Sequence, residues 1–518
     1  MFSFLGKIWL PLLMFIFFFL YWHYTKTFDY WKKKGVFYYE PTIFFGNIKD
    51  RILFRKAFHQ FWRDIYMKMK GHKYVGFFEG RRQTLVILDP EVIKQICIRD
   101  FSHFMDRPTL QMRYPLIQRQ LLNLKGQEWK QVRSLLTPGF SSGKLKAMEI
   151  LLKQCGKQLK QYLVKVTDEK DGAVLEMKEF YEHYTMDVIA TTAFGVQSDS
   201  LENPDSEFVK TTSKFSSISF SERMLIFAVL IFIPQFAKYV PITFFNMEVM
   251  NFLANVIKDS IKHRQSKNEK RSDFLQLMLD VKEELESKEK SGDGEPSPNL
   301  SLMDETTIIA QSVLFLVAGF ETSSTLLTFA SYELAQHKDV QEKLRNEINE
   351  AVKEHGEDNL YEAIQSMPYL DMVLNEALRK HPPLARIDRT CTAEYTIPDT
   401  SILIDKGINV SIPVLGIHYD PDYYPDPEKF IPERFTAEEK SKRSPYVFLP
   451  FGLGPRNCIG LRFAMLSTKM AIIYLLKDFT IDVCEKTQVP YQYSRFTMLL
   501  KAEGGIWLRI KPLSTTLS

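Results

Sequence analysis

Pro450-Phe451-Gly452-Leu453-Gly454-Pro455-Arg456-Asn457-Cys458-Ile459-Gly460 places a single cysteine in a glycine-rich turn, and Leu461-Arg462-Phe463-Ala464-Met465-Leu466 follows at once as the first turns of a helix. Cys458 therefore sits at or near a helix N-cap, where unpaired backbone N–H groups and the positive helix end favour a thiolate over a thiol. A pre-ionised sulfur is a metal ligand or a nucleophile. Gly454 and Gly460 leave room for a flat, bulky group to approach the backbone, and Arg456 is expected to supply a fixed positive charge near the sulfur. Taken alone, one cysteine is more often a small buried hydrophobe, and a Gly-Pro pair is usually only a turn. Zinc is disfavoured, because no second Cys or His stands within several residues at ligand spacing.

The spacing of Phe451, Gly454, Arg456, Cys458 and Gly460 resembles the haem-binding loop of the haem-thiolate monooxygenases, the cytochromes P-450. The resemblance implies that Cys458 is the axial thiolate of a haem b iron, with Phe451, Arg456 and Gly460 against the cofactor. It also implies that family's fold: mainly α with small β-sheets (α+β), preceded by an N-terminal transmembrane anchor helix.

The 518 residues, 45% hydrophobic and 25% charged, are enough for a large core. Cys97, Cys155, Cys391, Cys458 and Cys484 show no paired spacing, the pattern of a reducing compartment rather than a disulfide framework. A net charge of +4 is too small to argue for nucleic acid, so any basic partner surface is local. Residues 2–24 are almost wholly apolar and aromatic, interrupted by Lys7 and His23, and Trp31-Lys32-Lys33-Lys34 follows. A signal peptide would have a shorter apolar core and a small-residue cleavage site. We therefore expect an uncleaved membrane anchor over 1–24, with the lysines keeping the following chain cytosolic. A linker over 25–47, with only Pro41 before Gly46-Asn47, leads to a haem-thiolate domain over 48–518. Residues 84–90 read as a strand closed by a turn, and 106–124 as irregular chain.

Gln127-Glu128-Trp129-Lys130-Gln131-Val132-Arg133 begins a helix, with Trp129 and Arg133 at i,i+4 on one face. By default that is a surface cation–π pair; by resemblance, both side chains donate to a haem propionate. The run 224–234 is apolar but too short to cross a bilayer and is closed by proline. Core burial is its plain reading, and by resemblance it roofs the active site at the membrane surface. Residues 282–300 have a linker's composition.

From a cap-like Ser301-Leu302-Met303-Asp304, residues 306–335 read as one long helix with hardly a charge. Gln311, Glu321 and Thr322-Ser323-Ser324-Thr325 would be unfavourable in lipid, which points to a central buried helix instead. Within it, Ala318-Gly319-Phe320-Glu321-Thr322 sets an acid beside a hydroxyl, a candidate proton relay, and Gly319 trims the surface for a small ligand. A threonine bonded back to its own helix turn is the simpler alternative. The segment resembles the family's oxygen-activation motif, which gives Glu321 and Thr322 the task of proton delivery. Glu376 and Arg379 stand at i,i+3 on a further helix, ordinarily a weak surface pair. They resemble the family's Glu-x-x-Arg signature, completed by Arg434 in Pro432-Glu433-Arg434-Phe435 as a structural triad. Arg389 matches the family's propionate-reaching arginine, and Arg386 would add polarity near the cavity. Residues 402–405 and 409–413 suggest a small β region.

Leu135-Leu136-Thr137-Pro138-Gly139-Phe140 and Ser142-Gly143-Lys144-Leu145 are most similar to the microsomal branch that holds insect detoxification and mammalian drug-metabolising enzymes. That resemblance implies insertion of one oxygen atom from O2 into lipophilic small molecules, xenobiotics or endogenous lipids and hormones. It also implies an endoplasmic reticulum membrane location, with electrons from NADPH through a separate flavoprotein reductase and cytochrome b5 as a second donor. The chain carries no nucleotide-binding glycine motif, in keeping with electrons from a partner. Two alternatives use the same Cys458: a haem-thiolate isomerase or dehydratase that consumes no O2, and a non-catalytic haem-binding protein. The Glu321-Thr322 pair argues against both.

Overall fold

The computed structural model describes residues 2–513 except 110–113, 168–170, 197, 216–218, 233–242, 244 and 291–301. Its centre is the helix Glu305–Gln336, capped by Asp304, whose carboxylate accepts the Thr307 N–H at 2.7 Å. From Ser323 to Ala335 every side chain is buried, its hydroxyls and Glu333 included, the state of a helix covered on all faces inside a large protein. Met177–Phe194, Met247–Lys267, Pro368–Lys380 and Leu461–Leu476 pack around it. The apolar length that would also satisfy a bilayer is thus spent on a protein core.

Met177–Phe194 comes closest. A Cβ on Gly319 would lie 2.4 Å from Ile189 Cδ1, so this glycine marks where two helices touch. That corrects the expectation that Gly319 clears space for a ligand. The position left open is its neighbour Ala318, exposed although most of the surrounding helix is buried.

A four-stranded sheet runs in the order Tyr74–Glu79, Arg82–Ile87, Asn409–Ile412, Ile387–Thr390, parallel only between the second and third strands. The turn expected after the second strand is a helix start, with Asp89 capping Pro90–Lys94. This sheet and the helix Phe58–Met69 share a second core that includes Trp31, Trp62, Phe77 and Phe78. A three-stranded sheet joins Ala173–Glu176, Trp507–Pro512 and Phe479–Val483, and a two-stranded one joins Tyr395–Thr396 to Leu403–Ile404. The architecture is mainly α with small sheets, as expected.

The N-terminal helix Phe2–Thr25 leaves Phe15, Phe17, Phe18 and Trp22 exposed. After it, the segment expected as a linker is docked rather than free. Trp31 is fully buried in the space Gly76 leaves, where a Cβ would lie 2.3 Å from Trp31 Cγ. Lys34 Nζ and the Tyr30 hydroxyl both reach the Asp405 carboxylate, at 2.6 and 2.7 Å. Asn47 exchanges hydrogen bonds with the Phe78 backbone, its N–H donating to the carbonyl and its Oδ1 accepting the N–H, both at 2.8 Å. Side chains, not proline stiffness, hold this entry. The expected linker over 282–300 begins as helix, since Phe274–Lys290 continues through it, and 291–300 lie outside the described residues. The apolar run is helical to Phe232, with Ile226 and Val229 buried and Met224 and Leu225 exposed; Pro234 lies outside the described residues.

Candidate functional site

The cysteine loop closes on itself before the helix Leu461–Leu476 starts. Cys458 N–H donates to the Phe451 carbonyl at 2.8 Å and Asn457 N–H to that of Gly454 at 3.0 Å. Gly454 adopts φ +75°, and a Cβ there would lie 1.8 Å from the Cys97 carbonyl oxygen. Its role is therefore close backbone packing, a correction to the expectation that it clears room for a ligand. Gly460 does leave space, since a Cβ on it would meet only a Phe140 ring carbon at 3.8 Å. Gly460 is the N-cap, so Cys458 stands two residues upstream of it. The Cys458 side chain is exposed, yet burial pushes its thiol up against the opposing pull of the Gly460 N–H, Arg133 and Arg107. Protein thus crowds the sulfur, yet its surface stays open to contact.

Four guanidiniums gather around this loop. Arg107 Nη2 donates to the Arg456 carbonyl at 3.1 Å; Arg133 donates to the Asn457 carbonyl and Oδ1, each at 3.1 Å. Arg456 does not face the sulfur, as the sequence suggested. It turns away to donate to the Met105, Leu122 and Leu124 carbonyls and lies 4.7 Å above the Trp129 ring. The cation on Trp129 is thus Arg456, not its i,i+4 neighbour Arg133. Arg389 is 1% exposed, donating to the Asp388 carbonyl at 2.9 Å. Among the described residues, none of the four has a carboxylate within 4.0 Å. The nearest acids are engaged elsewhere: Asp106 accepts the Gly126 N–H, and Asp388 is held by Arg386 and Ser411. Burial, and next the other guanidiniums, depress Arg107 and Arg456 far below the ordinary arginine value, and Nε of Arg389 and of Arg456 has no partner. Buried positive charge on this scale calls for anions.

Glu376, Arg379 and Arg434 form the opposite arrangement. Glu376 and Arg379 are fully buried and bidentate, at 2.7 and 2.8 Å. Arg434 Nε lies 3.4 Å from Glu376 Oε1, too poorly aligned for a hydrogen bond, while its Nη2 donates to the Asp426 carbonyl. Arg379 also donates to the carbonyls of His418, Pro427 and Lys429. His418 then accepts the Leu449 N–H at 2.9 Å on Nε2, two residues before the Phe451 loop. The helix Pro368–Lys380 is thereby tied, through His418, to the segment that presents Cys458.

On the central helix, the Thr322 hydroxyl donates to the Ala318 carbonyl at 2.7 Å, the back-bond to its own turn, and remains accessible beside the exposed Ala318. Arg386 adds no free charge to a cavity. It pairs with Glu79 and with Asp388, the latter at 2.9 Å, and stacks 4.6 Å from the Trp62 ring. Sequence reading missed Arg107, which sits in chain with no periodic pattern, and Lys178, buried on Met177–Phe194; neither carries a local signal.

A family model described as Cytochrome P450 matches residues 38–509. Cytochrome P450 9e2 of Blattella germanica is 38% identical over 507 residues, 94% of each chain. Cytochrome P450 6k1 of the same organism is 37% identical over 494 residues, 94% of this chain and 93% of that one. Probable cytochrome P450 6a23 of Drosophila melanogaster is 38% identical over 491 residues, 94% of this chain and 95% of that one.

Proposed function

Because the chain belongs to the cytochrome P450 family, a family of haem-thiolate monooxygenases with haem b as cofactor, we propose that Cys458 is its axial ligand and that Glu321 and Thr322 are its proton-delivering pair. The observation that carries the reading is the cluster of four guanidiniums, Arg389 and Arg456 buried and Arg107 and Arg133 partly so, with no carboxylate within 4.0 Å among the described residues, beside an open cysteine. Haem b brings two carboxylates and a metal that takes a thiolate, so the residues present fit it. Arg107, Arg133, Arg389 and Arg456 would hold the propionates, with Trp129 beneath Arg456. Gly460 would leave space at the ring, and Phe451 would lie beside the sulfur.

When bound, haem supplies the iron at which O2 is reduced and one oxygen atom is transferred to a lipophilic small molecule. Arg133 and Arg107 stabilise the Cys458 thiolate against the penalty of its burial, aided by the Gly460 N–H. Thr322 Oγ1 spends its proton on the Ala318 carbonyl and keeps its lone pairs open as an acceptor, a position from which it can pass protons on when Glu321 resupplies them. The triad of Glu376, Arg379 and Arg434 braces the loop and touches no substrate. Electrons come from NADPH through a flavoprotein reductase, with cytochrome b5 as a second donor. The exposed apolar face of Phe2–Thr25 supports a membrane anchor over 1–24, an endoplasmic reticulum location and a cytosolic domain over 48–518.

The test uses the full chain with a reductase. NADPH and O2 should be consumed together with oxygenated product, and Cys458→Ala and Cys458→His should lose the thiolate-type carbon monoxide difference spectrum entirely. A normal spectrum in either variant would overturn the ligand assignment, and product formed without O2 would favour the isomerase reading.

A further inference from the structure

Met177–Phe194 carries Lys178 into the protein interior, where its ammonium meets the central helix immediately behind the Glu321-Thr322 pair. Nζ donates to the Glu321 carbonyl at 2.9 Å, to Ser324 Oγ at 2.7 Å and to Thr325 Oγ1 at 2.9 Å. Those three acceptors use all three ammonium donors. Ser324 and Thr325 hydroxyls donate to the same Glu321 carbonyl, at 3.0 and 2.8 Å, so three side chains converge on one peptide group. The preceding carbonyl, that of Phe320, lies 2.9 Å from Thr185 Oγ1 of the Lys178 helix and shares that hydroxyl's proton with the Tyr181 carbonyl at 2.7 Å. The backbone between Ala318 and Glu321 is therefore held by side chains at three carbonyls, two of them reached from outside the helix.

Neutral oxygens could fix that backbone through a serine or glutamine. A lysine brings a charge as well, and a buried charge is unfavourable unless something opposes it. The groups facing Lys178 are Glu182 Oε1, at 3.4 Å on its own helix, Glu321 on the central helix and Lys501 in the C-terminal segment. Burial lowers Lys178, the two glutamates oppose that, and Lys501 adds to it. Among the described residues, Glu182 shares the cation with Glu321.

We propose that Lys178 is a positioning residue for the Glu321-Thr322 pair: it pins the peptide group of Glu321 and sets a buried positive charge beside that pair. The inference rests on reading that pair as the proton-delivering group, which Thr322→Ala tests separately by releasing more peroxide per NADPH.

Product formed per NADPH, measured against pH with the reductase-coupled holoenzyme, reads the effect of Lys178. Lys178→Met should move the acidic limb of that profile up by about one pH unit, because a carboxylate that loses a neighbouring cation holds its proton to higher pH. Glu182→Gln removes the competing acid and should move the limb the opposite way, and Lys178→Arg should restore most of the shift. Backbone amide exchange across residues 321–326 of the resting protein should quicken in Lys178→Met. Opposite shifts in the two variants are not what a purely structural residue gives. An unmoved profile in Lys178→Met, while Thr322→Ala uncouples turnover, overturns the inference and leaves the pair's role standing. Unchanged coupling in both Thr322→Ala and Glu321→Gln removes the pair's role and this inference with it. If Lys178→Met does not accumulate, Glu182→Gln decides alone, and an unmoved or raised limb overturns the inference.

Discussion

Arg379 and Arg434 share the Glu376 carboxylate, whereas Arg107, Arg133, Arg389 and Arg456 have no carboxylate within 4.0 Å among the described residues. Glu376, Arg379, Arg434, Arg389 and Arg456 are buried, and Arg107 and Arg133 partly so. The first holds a carboxylate of its own between its two guanidiniums and places donors on the carbonyls of residues 418, 426, 427 and 429, leaving Arg434 Nε without a hydrogen bond; it is the more complete group because its countercharge is the chain's own. The second leaves two Nε atoms unpartnered and its guanidiniums repelling one another. Buried arginine alone therefore says little about role. What separates a brace from a receptacle is whether the countercharge belongs to the chain.

The largest effect should come from breaking the complete group. Glu376→Gln keeps the shape but strands two buried guanidiniums, which should destabilise the fold by roughly 3–5 kcal/mol, with or without haem. Urea unfolding of the apoprotein and the holoprotein would read it. Equal stability of variant and parent would mean the triad is not a brace.

Between the two groups stands His418, neutral, its Nδ1–H donating to the Arg379 carbonyl and its Nε2 accepting from Leu449. Burial pushes its pKa down to about 3. The unfolded chain gains a proton here below its ordinary value of 6.5 and the folded chain does not until about 3, so stability should be lost as pH falls through that window. The expected slope is ~1.4 kcal/mol per pH unit from this residue. His59, pushed down to about 4 by burial, should add to it between 6.5 and 4. Glu333, pulled down to about 2 by His381 and Lys380 against its burial, should contribute only below 4.5. Urea unfolding over a pH series would show a shallower slope in His418→Phe than in the parent protein, already between pH 6.5 and 4.5.

Breaking the incomplete group should have the opposite signature. Arg389→Met removes a charge that has no carboxylate within 4.0 Å among the described residues, so apoprotein stability should change by less than about 1 kcal/mol. Haem should be lost more easily, by ~10–100-fold in affinity, the worth of a charge-assisted hydrogen bond. Transfer of haem to an acceptor protein would measure it. A variant that loses apoprotein stability and keeps haem would place Arg389 with the braces.

Much of this contrast is foreshadowed in the sequence where it is local. Glu376 and Arg379 are three residues apart, Cys458 sits within its own turn, and Asp304 announces the central helix. What could not be read is what depends on distant chain. Arg107 meets the Arg456 carbonyl across 349 residues, and Lys178 meets Glu321 across 143. Arg456 is adjacent to the loop in sequence, yet its direction is set by carbonyls 332 to 351 residues away. Two of the three glycines expected to clear ligand space, Gly319 and Gly454, instead meet Ile189 and the Cys97 backbone, because a missing Cβ admits protein as readily as cofactor. Composition gives no partner for Arg386, which Glu79 and Asp388 neutralise only once the sheet is formed.

A third kind of cation sharpens the contrast from the outside. Lys130, on Gly126–Leu136, and Lys144, on Ser142–Ala147, are exposed, and Arg462 Nη1 donates to Ser142 Oγ at 3.4 Å, bringing the cysteine-loop helix to the same surface. Lys146 is exposed too but already paired, 2.5 Å from Glu362. If an acidic reductase surface docks here, Lys130→Glu with Lys144→Glu should slow reductase-supported turnover by a few-fold, with most of the change in association, and the rate should depend less on salt. Lys146→Glu should do less, because its charge is answered by its own chain, the same distinction that separates the two buried groups. Peroxide-supported turnover and the carbon monoxide spectrum should stay as they are in all three substitutions. Equal loss in the peroxide assay would show these lysines act on haem retention or folding, and an effect of Lys146→Glu as large as the double variant would show that pairing within the chain does not govern docking.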